Sequence, residues 1–247
     1  MAVFRRPLSF ERWPAVVYAI GDVHGCLPQL LELEQRIAAD AAGIAGEKWM
    51  VMLGDYIDRG PHSAQVIEHL LQPPPPGFSR WTLAGNHEMM MLEFLADPAA
   101  NMFWLDQGGA ETLESYGVMG AYRYLDAPIG RGFMALVSEQ VPAAHIRFMR
   151  ELVTGLSLPG WFFVHAGIRP GVPLAAQAEE DLVWIREPFL SARLPPGLRV
   201  VHGHTPSRAP VVTAHRVGVD TQCFATGRLT AVRVTADGEV RFLTVAG

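Results

Sequence analysis

Residues 15–26 read Ala15-Val-Val-Tyr-Ala-Ile20-Gly21-Asp22-Val23-His24-Gly25-Cys26, and the segment that follows, Leu27 to about Ala39, places Leu27, Leu30, Leu31 and Ile37 on one helical stripe. A β-rich apolar run, a turn of Gly, Asp and His, and an amphipathic helix make one strand–turn–helix unit. The unit recurs twice. Trp49-Met-Val-Met-Leu53 leads into Gly54-Asp-Tyr-Ile-Asp-Arg-Gly60 and a helix near Ser63 to Leu71, which the prolines at 73–76 end. Trp81-Thr-Leu-Ala84 leads into Gly85-Asn-His-Glu88 and a helix to about Leu95. Three such units in series predict parallel βαβ packing, with ligands held beyond the carboxyl ends of the strands.

Outward from these units the rhythm stops between about Asp97 and Pro142. That stretch mixes Phe103, Trp104, Tyr116, Tyr122, Tyr124 and Phe133 with Gly108-Gly109, which predicts short helices and loops, a cap-like insertion (about 97–142) in a single domain spanning 1–247. Its aromatics are expected to pack into a small core of their own. A helix from about Ala143 to Gly155 follows. The β pattern returns at Trp161–His165, Leu198–His202, Arg216–Asp220, Leu229–Val234 and Val240–Val245, and the last two runs flank the hairpin signal Asp237-Gly238. The expected fold class is α/β, a sandwich of mixed sheets flanked by helices.

Composition bounds the partners. The 247 residues carry 20 Lys+Arg against 25 Asp+Glu, a net charge of −5, with no run of basic residues, so a nucleic-acid-coating surface is excluded. No stretch approaches the roughly 20 apolar residues of a membrane span, and the run Ala15–Ile20 behind Arg5-Arg6 is too short for an export signal. Two cysteines far apart in sequence, Cys26 and Cys223, fit a reducing cytoplasm, each as a small buried residue.

The chemistry lies at the strand ends. Asp22 and His24, then Asp55, then Asn86 and His87 follow the first three strands; His165 and His204 follow two later ones. Parallel strand ends converge on one sheet edge, and a carboxylate, carboxamide and imidazole set without thiolate suits Mn²⁺, with Fe or Zn²⁺ as alternatives. These candidates exceed what one open catalytic ion needs. Two divalent ions about 3.5–4 Å apart would use them all, with Asp55, on the middle turn, as the natural bridge.

Gly21-Asp-Val-His-Gly25, Gly54-Asp-Tyr-Ile-Asp-Arg-Gly60, Gly85-Asn-His-Glu88, His165-Ala-Gly167 and Gly203-His-Thr205 together resemble the ordered signature of the phosphoprotein-phosphatase branch of the calcineurin-like metallophosphoesterases. The resemblance spans residues 20 to 206. It implies a dinuclear metal centre, with Asp22 and His24 on one ion, Asp55 bridging, and Asn86, His165 and His204 on the other. It also implies hydrolysis by direct attack of a metal-bridging hydroxide. His87 would protonate the leaving oxygen, Asp58 would orient His87, and Arg59 would fork onto phosphate oxygens. A second phosphate-binding arginine is expected between the fourth and fifth blocks: Arg186, with Arg193 and Arg199 as competitors. His202 is expected as a packed imidazole, and His62, His69, His145 and His215 as surface or helix residues.

The substrate this implies is a phosphorylated protein or a small phosphorylated molecule. The first expectation is a serine/threonine protein phosphatase. A bacterial symmetrical diadenosine tetraphosphatase is the alternative on the same scaffold, and a non-catalytic metal-binding scaffold is the alternative of another class.

Overall fold

The computed structural model describes residues 4–124 and 130–247, so residues 125–129 of the expected insertion lie outside the described residues. In chain order the elements are β1 (Leu8–Ser9), β2 (Val16–Ile20), α1 (Leu27–Asp40), β3 (Lys48–Met52), α2 (Ser63–Leu71), β4 (Phe78–Thr82) and α3 (Asn86–Ala96). Then come α4 (Ala110–Ser115), α5 (Arg131–Gln140), α6 (Ala143–Glu151), β5 (Leu156–Leu158), β6 (Trp161–Phe163) and α7 (Glu179–Trp184). The chain closes with β7 (Arg199–His202), β8 (Val211–Val212), β9 (Arg216–Gly218), α8 (Cys223–Thr226), β10 (Arg228–Val234) and β11 (Val240–Ala246).

Every residue of β2 is buried, because the strand is covered on both faces. Successive side chains of a strand point to opposite faces, and the apolar runs are partitioned accordingly. Val17, Ala19, Trp49 and Val51 face between the sheets, where they meet Trp161, Phe163 and Val201. Tyr18, Ile20, Met50 and Met52 share the other core with Leu30, Leu33 and Ile37 of α1, Val66 and Ile67 of α2 and Phe94 of α3. Phe162, Val164 and Val200 pack on the far side against Leu182 and Phe189. Full burial of such a side chain contributes about 1.5–3 kcal/mol, so the continuous apolar runs hold a two-sheet sandwich rather than one solvated sheet.

One sheet runs β11-β10-β2-β3-β4, with β2, β3 and β4 parallel and β10 antiparallel to β2. The other runs β1-β5-β6-β7-β9-β8, with β6, β7 and β9 parallel. The parallel strands therefore deliver Asp22, Asp55, His165 and His204 from their carboxyl ends, as expected. The β10–β11 hairpin turns at Gly238, whose φ of +87° favours glycine.

Three boundaries differ from the sequence expectation. β4 lies at 78–82 rather than 81–84: it is an edge strand, half-buried throughout, so polar Ser79 and Arg80 sit within it. α6 stops at Glu151 because Val153 bridges to Arg5 and Leu83 and the chain then enters β5. β1, β5 and β8, of two or three residues each, are too short to leave a periodic trace.

The 97–142 segment does contain short helices, but its apolar residues do not form a separate core. Trp104, Leu113, Tyr116 and Val137 belong to the same buried cluster as Phe94 and Met91. Among the described residues, no helix is long and apolar enough to cross a membrane. Cys26 and Cys223 are buried free thiols, as expected, and the Cys26 thiol donates to His24 O at 3.5 Å.

Candidate metal centre

Six non-glycine residues hold left-handed backbone: His24, Asp55, Asp58, Arg59, His204 and Gln222, with φ between 43° and 74°. Such conformations are uncommon for side-chain-bearing residues and gather at functional sites. Five of the six are residues that the sequence places in the site. Two glycines make the close turns fit. A Cβ at Gly203 would overlap the Asp22 carboxylate, and one at Gly108, whose φ is +109°, would overlap the Arg59 amide.

Asp55 stands at the middle. Its Oδ2 lies 3.6 Å from His24 Nε2, 3.9 Å from His87 Nε2 and 3.4 Å from His165 Nε2. Two clusters share it: His24, Asp55 and His87 on one side, and Asp55, His165 and His204 on the other, all buried, with ligand atoms within 4.8 Å of one another in each. Asn86 joins the second cluster, its Oδ1 2.9 Å from both His165 Nε2 and His204 Nδ1. Asp22 lines the same pocket, but its carboxylate accepts the His204 amide at 3.0 and 3.2 Å and belongs to neither cluster.

Main-chain carbonyls set the imidazole tautomers. His24 Nδ1 donates to Ile57 O at 2.8 Å, His165 Nδ1 to Leu53 O at 2.9 Å, and His204 Nε2 to Trp184 O at 3.1 Å. The lone pairs of His165 Nε2 and His204 Nδ1 are left facing Asn86 Oδ1 and the Asp55 carboxylate. Such convergent buried lone pairs and carboxylates are what a divalent cation site requires, so the residues present fit the metals that the motifs imply.

Charge divides these three imidazoles. Burial pushes His24 and His204 down to about 3, reinforced by the positive charge of neighbouring imidazoles. Burial would also lower His165, but the charge of Asp55, the Asp55 hydrogen bond and Asp22 outweigh it and hold it up at about 9. Burial raises the Asp22 carboxyl, with Asp220 adding to the shift.

His87 is built differently. Its Nδ1 lies 2.6 Å from Asp58 Oδ2, which also accepts the Trp104 indole N–H at 2.8 Å, while Thr112 Oγ1 donates to Asp58 Oδ1 at 2.6 Å. Burial would lower His87, but the Asp55 charge and the Asp58 bond prevail and hold it above its ordinary value. Glu88, fully buried, accepts the backbone N–H groups of Asp55 and Gly85 on Oε2 (3.0 Å each) and of Tyr56 on Oε1 (2.7 Å). It ties the second turn to the third.

A family profile described as calcineurin-like phosphoesterase matches residues 15–226. The chain belongs to the calcineurin-like phosphoesterases. Members of this family hydrolyse phosphoesters with divalent metal ions, and this chain carries the fold and the donor sets for it. It is 25% identical over 234 residues, 87% of the chain and 88% of the relative, to a bis(5'-nucleosyl)-tetraphosphatase PrpE (asymmetrical) of Bacillus thuringiensis. In fold it is similar to a solved structure provisionally described as a diadenosine tetraphosphatase, with TM-score 0.68, 19% identity and coverage of 97% of this chain and 98% of that one. A protein serine/threonine phosphatase from Saccharomyces cerevisiae also shares the fold, with TM-score 0.57, 14% identity and coverage of 98% and 84%.

In this phosphoesterase the donors open into a cavity of about 430 Å³. Arg59 and Arg186 both line it: Arg59 Nη1 lies 3.0 Å from His24 Nε2, and Arg186 Nη2 donates to His204 O at 3.3 Å. Of the competitors, Arg193 lines a separate apolar pocket and Arg199 stacks on Trp161. His202 is packed under Phe189, and His145 is a buried helix residue bonded to Tyr116 and Glu68, so it is not on the surface.

Sequence reading missed Glu88, Trp104, Thr112, Trp184, Asp220, Gln222 and Phe224. Asp220 was findable, since it follows β9 as Asp22 follows β2. Trp104 and Thr112 reach Asp58 from across the fold and leave no local pattern. The aromatics on the cavity wall are Trp184 and Phe224, both outside the 97–142 segment.

Proposed function

We propose that the chain hydrolyses dinucleoside tetraphosphates, using two divalent ions held around Asp55. The observation that supports this reading most is the cavity itself, which sets two arginines and two half-exposed aromatic rings above the donor clusters. That is the complement of a polyphosphate flanked by bases. The relative's printed activity, over 87% of this chain, points the same way, and it is the asymmetrical reaction rather than the symmetrical one that stands as the alternative in the sequence reading.

The proposed division of labour assigns Asp22, His24, Asp55, Asn86, His165 and His204 to the metals. Bound divalent ions, with Mn²⁺ the first expectation, supply a water acidic enough to ionise near neutral pH and Lewis-acid contacts to phosphoryl oxygens. Arg59 and Arg186 orient the phosphate by forked hydrogen bonds. His87, with Nδ1 on Asp58, presents Nε2 to the cavity and donates a proton to the leaving oxygen.

The serine/threonine phosphatase reading is supported by the Asp58-Arg59-Gly60 and His87-Glu88 blocks. Parallel kcat/KM measurements with Mn²⁺ on diadenosine tetraphosphate and a phosphoserine peptide separate the two. We expect the dinucleotide to be preferred at least tenfold, to yield AMP and ATP, and to be spared entirely after chelation. Equal or greater efficiency on the peptide overturns the proposal.

A further inference from the structure

Trp184 and Phe224 are each 38% exposed on the cavity wall, but they are not equivalent. Phe224 is engaged: the Arg59 guanidinium carbon stands 4.8 Å over its ring, and His24 meets it edge-to-face at 5.4 Å. Trp184 meets one ring among the described residues, that of His204, at 6.1 Å and 86°, and no guanidinium lies over it.

The Trp184 backbone is nevertheless fixed. It ends α7, and its carbonyl accepts His204 Nε2–H at 3.1 Å. Arg186 follows two residues later into the same cavity and donates to the His204 carbonyl. The Trp184 carbonyl and the Arg186 guanidinium thus both bond His204 of the second donor cluster, and the two residues, two apart at one helix end, line the same cavity. A large apolar ring exposed in a polar cavity, beside a phosphate-complementary cation, is suited to a ligand that carries an aromatic plane next to a phosphate.

We propose that Trp184 is the stacking platform for a nucleobase of the substrate, with Arg186 taking the adjoining phosphate oxygens. The inference rests on the dinucleotide reading and names the part of the cavity that recognises the nucleoside. Because every base offers a π face, such a platform selects nucleotides over bare polyphosphate rather than one base over another.

The test uses the metal-loaded protein with para-nitrophenyl phosphate as reporter and compares inhibition by ATP with inhibition by inorganic tripolyphosphate. Trp184→Ala should weaken ATP about tenfold relative to tripolyphosphate, and Trp184→Phe should restore most of the difference. Trp184→Ala should also raise KM for diadenosine tetraphosphate about tenfold with a smaller change in kcat. An unaltered ATP-to-tripolyphosphate ratio overturns the platform, as does a loss confined to phosphopeptide turnover, which would assign the ring to a polypeptide. Should Trp184→Ala fail to fold, indole emission decides: ATP must quench the wild-type signal, and quenching of equal depth in Trp184→Phe overturns the proposal. If the wild type does not cleave the dinucleotide while the inhibition ratio behaves as stated, the proposed function fails and the platform stands. If it cleaves the dinucleotide and the ratio does not move, the reverse holds.

Discussion

The imidazoles around Asp55 are backed in two ways. His24, His165 and His204 each donate to a main-chain carbonyl, whereas His87 faces a carboxylate that Trp104 and Thr112 hold from behind. A carbonyl fixes a tautomer without adding charge; a carboxylate stabilises the protonated ring. Burial pushes His24 and His204 down to about 3, whereas the Asp55 charge holds His165 up at about 9 and, with the Asp58 bond, holds His87 above its ordinary value. The backing alone therefore does not set the charge; what sets His87 apart is the carboxylate on Nδ1, and the proposed mechanism uses it to hold the ring that donates a proton.

The sharpest way to break the comparison is to remove one ring of each kind. His87→Asn should lower kcat on an alkyl phosphomonoester about 10²–10⁴-fold with bound metal retained by elemental analysis. The loss should be smaller on a dinucleotide, because a nucleotide phosphate leaves as a stable anion. His204→Ala should instead lose metal. Comparable metal loss in both variants would erase the distinction.

A substitution common to both sides comes next. Glu88→Ala strands the amides of Asp55, Tyr56 and Gly85, each costing about 1–3 kcal/mol when buried without an acceptor, so urea denaturation should show a loss of about 3 kcal/mol or more. A loss below 1 kcal/mol would mean that the turns hold themselves.

Smaller again is Trp104→Phe, which keeps a ring but removes the N–H donated to Asp58. Stability should fall by about 1–2 kcal/mol, and kcat should fall with it while metal content stays constant. Constant kcat would reduce Trp104 to packing.

The smallest effect lies outside the site. Glu34 repeats the carboxylate–imidazole pair, 2.8 Å from His69 Nε2, and adds Arg80 at 2.8 Å. Burial raises its carboxyl, but the His69 bond and Arg80 outweigh this and hold it below the usual range. A depressed folded-state value gives stability that is present above the unfolded pKa, near 4.3, and is lost as pH falls through the folded one. Glu34→Gln should therefore cost about 1 kcal/mol at pH 7, with the gap closing below about pH 4. A gap that persists in acid would mean that charge is not its source.

The legible parts of the site are those the backbone delivers directly. Asp22, Asp55, Asn86, His165 and His204 each follow an apolar β run, so local pattern locates them. Only the structure places Arg186 on the cavity wall apart from Arg193 and Arg199, because Arg186 and Arg193 lie in irregular chain where no period fixes a direction and Arg199 opens β7. Trp104 and Thr112 reach Asp58 only after α3 and α4 pack, and such contacts depend on tertiary geometry that one-dimensional spacing does not encode. Glu88 was visible as a letter of the third block, yet its work, accepting amides from the second, could be seen only in space.

The left-handed backbone of His24, Asp55, Asp58, Arg59 and His204 bears on how the sequence can drift. Aspartate, asparagine and histidine tolerate that region, whereas a β-branched residue there is a true outlier and other side chains carry a penalty of about 1–2 kcal/mol. At these positions a randomised library would be thinned by chain conformation before any selection for turnover, with Asp→Asn at 55 or 58 enriched among folded but inactive clones.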